Sequence, residues 1–217
     1  MKKAIIFDLD GTLADSSGCI VNAAHHVQKH LGLRPITDAT VRGKIGQRLD
    51  FMLATLFNIE GQLLQQAIHQ YSAAYVRIAA TEERLFEGVT DMLERLKDTG
   101  FQLAIATGKS QNGANHSTAR LGLRNHFDSI HGILPGTPGK PHPAVLLRAI
   151  EALGQNPDNC VMVGDTTFDL DLSNAAGVKS VGVTWGVHPT SKLLACKPAF
   201  VAKTIEELEQ WLLSVHK

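Results

Sequence analysis

No charge of one sign dominates this chain: its 217 residues carry 21 Lys plus Arg against 21 Asp plus Glu, a formal net charge of zero. Nothing therefore points to a nucleic-acid partner held by overall charge, although a local basic patch stays open. Cysteine is scarce. Cys19, Cys160 and Cys196 are far apart, have no Cys-x-x-Cys spacing and cannot all pair, so no disulfide framework is expected and a reducing compartment fits best. No apolar run approaches the length of a membrane span, and Met1-Lys2-Lys3 leads into a short apolar stretch and then Asp8, not into the apolar core of a secretion leader. The ten histidines show no zinc-ligand spacing; His25 and His26, for example, are adjacent on a presumed helix. Low-complexity tracts and internal repeats are also missing. Together these absences predict a cytoplasmic protein with neither a nucleic-acid nor a membrane partner, and leave monomer and homodimer both open.

What is present is an alternation of buried strands and helices, interrupted once. Ala4-Ile5-Ile6-Phe7 reads as a fully buried strand of a parallel sheet. From about residue 17 to 80 there is no convincing strand. Helical spacing runs over Ile20–Leu31, a break from Gly32 to Asp38 contains Pro35 and a Thr37/Asp38 capping signal, and helices resume over 49–57 and 62–80. Between them, Arg42-Gly43-Lys44-Ile45-Gly46-Gln47-Arg48 breaks the pattern with glycines and cations. After Phe86 the order becomes strand, helix, strand: strands at 102–106, 129–133, 160–163 and 179–183, with helices following. The predicted fold is α/β, a doubly wound parallel-sheet, Rossmann-like core with an inserted α-helical cap. Residues 1–16 and 81–217 would form the core and 17–80 the cap, with hinges near Ala14–Ser17 and Thr81–Phe86.

Three predicted strands end in polar residues. The first delivers Asp8-Leu9-Asp10-Gly11-Thr12, two carboxylates one residue apart before a glycine turn. The second delivers Thr107-Gly108-Lys109-Ser110, a hydroxyl and backbone N–H groups at an expected helix start. It is not a nucleotide P-loop, because Leu103 stands where that motif needs its first glycine. The third delivers Gly164-Asp165-Thr166-Thr167-Phe168-Asp169, and Gly139-Lys140-Pro141-His142-Pro143 holds a lysine on a proline-restrained backbone. Each alone reads equally as turn or capping chemistry. Together they can converge, because strands pointing the same way bring their carboxyl ends to one side of the sheet. Hard oxygen donors without a His/Cys cluster favour Mg2+.

These four stretches, in this order, resemble the four motifs of the haloacid dehalogenase superfamily over nearly the whole chain. The helical insertion is similar to that of the small-cap subclass, and Phe86-Glu87-Gly88-Val89 and Thr184-Trp185-Gly186 resemble phosphoglycolate phosphatase-type members. The resemblance implies an Mg2+-dependent phosphatase acting on a small phosphorylated metabolite through an aspartyl-phosphate. Asp8 would be nucleophile and metal ligand, Asp10 the proton carrier and a ligand through its carbonyl, Asp165 a further ligand, and Asp169 a supporting acid behind it. Thr107, Gly108 and Lys140 would hold the phosphoryl oxygens. Gly46 and Arg48 of the cap loop are expected to meet the leaving group, with Arg42 and Lys44 as weaker candidates.

Alternatives remain on the same residues. An inorganic pyrophosphatase would suit the cap-loop cations, a sugar-phosphate mutase shares the resemblance but tends to carry Val where this chain has Thr12, and a phosphate-binding regulatory module could have kept the fold without turnover. The dehalogenase reaction itself is disfavoured by Asp10.

Overall fold

The computed structural model describes residues 3–214. In chain order the elements are β1 (Ala4–Phe7), β2 (Ala14–Asp15), α1 (Ser17–His30), α2 (Asp38–Arg42), α3 (Leu49–Phe57), α4 (Gly61–Glu82), β3 (Arg84–Leu85), α5 (Val89–Asp98), β4 (Gln102–Ser110), α6 (Gln111–Arg120), β5 (Ser129–Ile133), α7 (Ala144–Ala152), β6 (Cys160–Gly164), α8 (Thr167–Ala176), β7 (Lys179–Val183), α9 (Thr190–Ala195), β8 (Phe200–Ala202) and α10 (Ile205–Ser214). Among these, no helix is long and apolar enough to cross a membrane.

Six strands form one sheet in the order β5-β4-β1-β6-β7-β8, and every pairing is parallel. Side chains of a strand alternate between faces, so each central strand supplies two cores. Ile5, Phe7, Leu103, Ile105, Val161 and Val163 pack toward α5 and α10, whereas Ile6, Ala104, Ala106 and Met162 pack toward α7 and α8. The chain begins in the middle of the sheet, builds outward through β4 and β5, and then returns to the other side of β1 for β6. This reversal opens a crevice beyond the carboxyl ends of β4, β1 and β6, where an open α/β sheet binds its ligands.

Helices α1, α3 and α4 close over a separate apolar core that includes Ala23, Val27, Leu53, Leu56, Tyr71 and Tyr75. Both ends of this helical layer pass through one short antiparallel ribbon, in which Ala14 pairs with Leu85 and Asp15 with Arg84. The ribbon was not foreseen, because two residues are too few to show a period. Also unforeseen were α9 and β8, both short, with β8 at the sheet edge.

Strand β4 departs from expectation in a way that matters for the site. It runs to Ser110 instead of stopping at Ala106, with its register against β5 shifting between Ala106 and Ser110. Thr107 consequently sits on a strand end and not at a helix start. Helix α6 begins at Gln111, capped by the Ser110 hydroxyl, which accepts from the Gly113 N–H at 3.2 Å.

Candidate active site

Asp8 follows directly on β1, and its placement is fixed before any side chain is considered: its backbone N–H donates to the Val163 carbonyl at 2.9 Å, extending the β1–β6 ladder. The side chain is buried. Lys140 Nζ donates to Asp8 Oδ1 at 2.8 Å and to Asp169 Oδ1 at 2.6 Å, and the lysine side chain is 0% exposed. Asp169, on the first turn of α8, spends its other oxygen on the Thr166 N–H (3.1 Å) and hydroxyl (2.7 Å), which pins it from two directions. Asp165, at the end of β6, accepts from the Thr12 hydroxyl at 3.0 Å and from the Val187 N–H at 2.8 Å.

Ligand oxygens of Asp8, Asp165 and Asp169 all lie within 4.8 Å of one another. Three buried carboxylates face one buried ammonium, and Asp8 Oδ2 is buried with no hydrogen-bond partner. Burial of unneutralised charge is costly, so protons are the protein's own remedy. Burial raises the Asp8 carboxyl to about 7, against the pull of Lys140 and with Asp169 and Asp10 adding to the rise. Asp165 is pushed well up by burial and by Asp169 and Asp8, with the Val187 and Thr12 bonds pulling it back. For Lys140, burial works to lower the ammonium, but Asp169 and Asp8 overcome it and the net shift is upward. The surplus negative charge, the all-oxygen donor set and the orphaned Asp8 oxygen fit a hard divalent cation.

Asp10 is held apart from this cluster. Its Oδ1 accepts from the Ser16 hydroxyl at 2.6 Å, and its Oδ2 pairs with Lys109 Nζ at 3.0 Å. Lys109 in turn contacts the Tyr75 hydroxyl at 2.9 Å and lies 4.2 Å from that ring's centre. Tyr75 donates to Glu83 at 2.5 Å, and Glu83 pairs with Arg120. A buried polar chain therefore runs from Asp10 through the cap helix α4 to the ribbon that joins cap to core. Burial lowers the Lys109 ammonium, but Asp10 and Glu83 outweigh it and the net shift is upward. None of Ser16, Tyr75, Glu83 or Arg120 was legible as a site residue; only long-range pairing reveals them.

A cavity of about 160 Å³ lies between cap and core, lined by Asp8, Asp10, Thr107, Gly108 and Gly46 among others. Thr107 is fully buried, and its Oγ1 accepts from the Lys109 N–H at 3.3 Å, leaving the hydroxyl proton available. At Gly108 a Cβ would stand 2.4 Å from the Gly46 carbonyl oxygen, so two glycines form the seam where cap loop meets core. Arg48 is placed differently from expectation. Its guanidinium pairs with Asp50 at 2.7 Å and donates to the Thr137 carbonyl at 2.6 Å, outside the residues lining the cavity. Arg42 points to the Ser17 hydroxyl at 2.7 Å. The local reason is competition: Asp50, two residues on, offers Arg48 a carboxylate at once.

Sequence reasoning singled out Thr184-Trp185-Gly186, directly after β7, only for its resemblance and gave the segment no part in the site. Val187 supplies the N–H to Asp165, and the Trp185 indole N–H donates to the Thr12 carbonyl at 3.1 Å, bracing the turn after Asp10. Gly186 lies so close that a Cβ there would sit 2.2 Å from Asp165 Oδ2.

Comparison with known proteins agrees with this geometry. The probable phosphatase IndB of Dickeya dadantii is 35% identical over 213 residues, covering 96% of this chain and 92% of that protein. A phosphoglycolate phosphatase of Chromobacterium violaceum is 32% identical, covering 88% of this chain and 89% of its own. A solved haloacid dehalogenase-like hydrolase from Streptococcus pneumoniae superposes with a TM-score of 0.83 at 29% identity, over 100% of this chain and 99% of that one. The family model described as haloacid dehalogenase-like hydrolase matches residues 5–183, from inside the first sheet strand to the end of β7, and the chain belongs to that family.

Proposed function

We propose that the protein is an Mg2+-dependent phosphatase that hydrolyses a small phosphorylated metabolite through an aspartyl-phosphate on Asp8. The observation that carries this reading is the asymmetry of that carboxylate: Oδ1 is tied to Lys140, whereas Oδ2 is buried, lines the reaction cavity with its residue and has no partner. Asp8 attacks phosphorus through one carboxylate oxygen, the other being left for the cation, while the leaving oxygen takes a proton from Asp10. Asp10 then removes a proton from water, whose oxygen displaces Asp8 and releases phosphate. An ammonium has three N–H donors and two of those of Lys140 go to carboxylates, so the third is free for a phosphoryl oxygen. Thr107 offers its hydroxyl proton to another. The cation would be held by Asp8 and Asp165 with the Asp10 carbonyl, and would neutralise charge on the transferring phosphoryl group. Asp169 positions Lys140. The insertion of residues 17–80 acts as the cap, and Arg48 braces its loop against residue 137 instead of touching substrate.

Hydrolysis of p-nitrophenyl phosphate with and without Mg2+ tests this: metal-dependent release is expected, and its absence in the folded protein would remove the enzymatic reading in favour of a phosphate-binding module.

Two further outcomes are expected. In Gly186→Ala no positive φ is imposed, so the backbone tolerates alanine and only the space beside Asp165 is missing. The Mg2+ concentration for half-maximal activity should rise about 10-fold or more, with kcat recovering at high Mg2+. The second concerns pH. With Asp8 raised to about 7 in the metal-free fold against about 3.9 when unfolded, the folded state binds the extra proton between those values. Its contribution to stability therefore falls as pH rises from about 4 to about 7. Melting curves in EDTA should show this loss, Mg2+ should restore most at pH 8 and least at pH 5, and Asp8→Asn should flatten the difference.

A further inference from the structure

The side chains around the cavity say what kind of leaving group it takes. On the cap side its wall is apolar, built from Ile20, Ile45, Leu49, Met52, Tyr71 and Tyr75. On the core side the cations are already spent. Lys109 is paired with Asp10 at 3.0 Å, and Arg120 is paired with Glu83, whose side chain is fully buried. His116 is exposed at the rim. Arg42, Lys44 and Arg48, the cations of the cap loop, do not line the cavity. A carboxylate or a second phosphate would enter with no uncommitted cation to meet it among the described lining residues, and an unpaired charge in a poorly solvated space is costly.

Two polar atoms of the lining besides Asp8 Oδ2 are buried without a partner: Gln47 Oε1 on the cap loop and Arg120 Nε on α6. One accepts and the other donates, which matches a neutral group such as a hydroxyl or an amide. The space of about 160 Å³ is that in which apolar walls hold a six-membered ring.

We propose that the leaving group is an uncharged, ring-sized organic alcohol with apolar faces and neutral hydrogen-bonding groups, and not a carboxylate such as glycolate or a second phosphate. This rests on the phosphatase reading for the reaction itself, but the recognition can be measured without turnover. The probes are benzylphosphonate, ethylphosphonate and phosphonoacetate, titrated calorimetrically into the Mg2+-loaded protein. Benzylphosphonate is expected to bind at least about 10-fold more tightly than either of the others, the ring supplying buried apolar area that they lack. Leu49→Trp, which fills the cavity from α3, should bring benzylphosphonate down to the level of ethylphosphonate. Phosphonoacetate binding as tightly as benzylphosphonate, an unchanged benzyl preference in Leu49→Trp, or no binding of any probe would overturn the proposal. Hydrolysis of the corresponding phosphate esters is scored separately: the predicted binding order without turnover upholds the leaving-group class and removes the phosphatase reading.

Discussion

Replacing Lys140 by methionine is expected to produce the largest loss of stability of any single change in the site. The ammonium is completely enclosed and is the shared partner of Asp8 and Asp169, so its removal leaves buried carboxylates facing one another. Breaking a buried pair by deleting one partner costs about 3–5 kcal/mol. For a domain of this length that corresponds to a fall in Tm on the order of 10 °C. The sign of its pH dependence follows from Asp8. Losing Lys140 removes a pull that lowers the Asp8 carboxyl, so the folded variant binds more protons than wild type and the deficit of Lys140→Met should be smaller at pH 5 than at pH 8. Turnover should fall by about 10³-fold or more even where the protein stays folded, because the donor proposed for the phosphoryl oxygens is gone. Differential scanning calorimetry at the two pH values with parallel assays checks both. A variant that melts like wild type and keeps a tenth of its activity would mean that Lys140 is a bystander.

The second large effect separates the two acids of the opening motif. Asp8→Asn should lower kcat by about 10⁴-fold or more, since an amide oxygen neither attacks phosphorus nor accumulates a phosphoryl group. Its fold should survive, because Lys140 keeps Asp169 at 2.6 Å. Asp10→Asn should behave differently. With p-nitrophenyl phosphate the leaving group needs little help from an acid, so phosphorylation proceeds while activation of water is lost. A burst of nitrophenolate followed by a slow steady state is the expected trace. Equal loss of burst and steady state in both variants would show that the two carboxylates are not divided as nucleophile and proton carrier. Lys109 and Ser16 fix Asp10 from opposite sides in this geometry, and Tyr75 contacts Lys109 from the cap. Tyr75→Phe is therefore expected to change the second phase more than the burst, by about 10-fold at most, because it leaves both carboxylates in place.

How much of the fold and of the site is legible in the sequence depends on the range of the interaction involved. The buried strands announce themselves by uninterrupted apolar runs, and the acids after β1 and β6 stand out because polar residues directly follow those runs. The parallel sheet and the inserted helices follow from the same alternation. What could not be read is whatever depends on elements distant in sequence meeting at close quarters. Glu83 and Arg120 are ordinary charged residues of a helix end and a helix until packing buries their pair; Gly186 is an ordinary glycine until Asp165 fills the space beside it. The turn at Thr107 misled for another reason. A Thr-Gly-Lys-Ser stretch has the chemistry of a helix start, yet pairing with β5 carries the strand on to Ser110, where the cap is made. Arg48 shows the same limit at the level of a side chain: three cations around two glycines suggested an anion clamp, and a carboxylate two residues away satisfied one of them.

The proposed reaction turns on one bond, between phosphorus and an oxygen of Asp8. Asp10→Asn supplied with p-nitrophenyl phosphate and Mg2+, quenched at the end of its burst and reduced with borohydride, converts a phosphorylated aspartate to homoserine that fragmentation mass spectrometry assigns to a position. Homoserine at position 8, and none when Asp8 is also replaced by Asn, is the predicted result. Homoserine at another aspartate, or a full burst that leaves every aspartate unreduced, would contradict it.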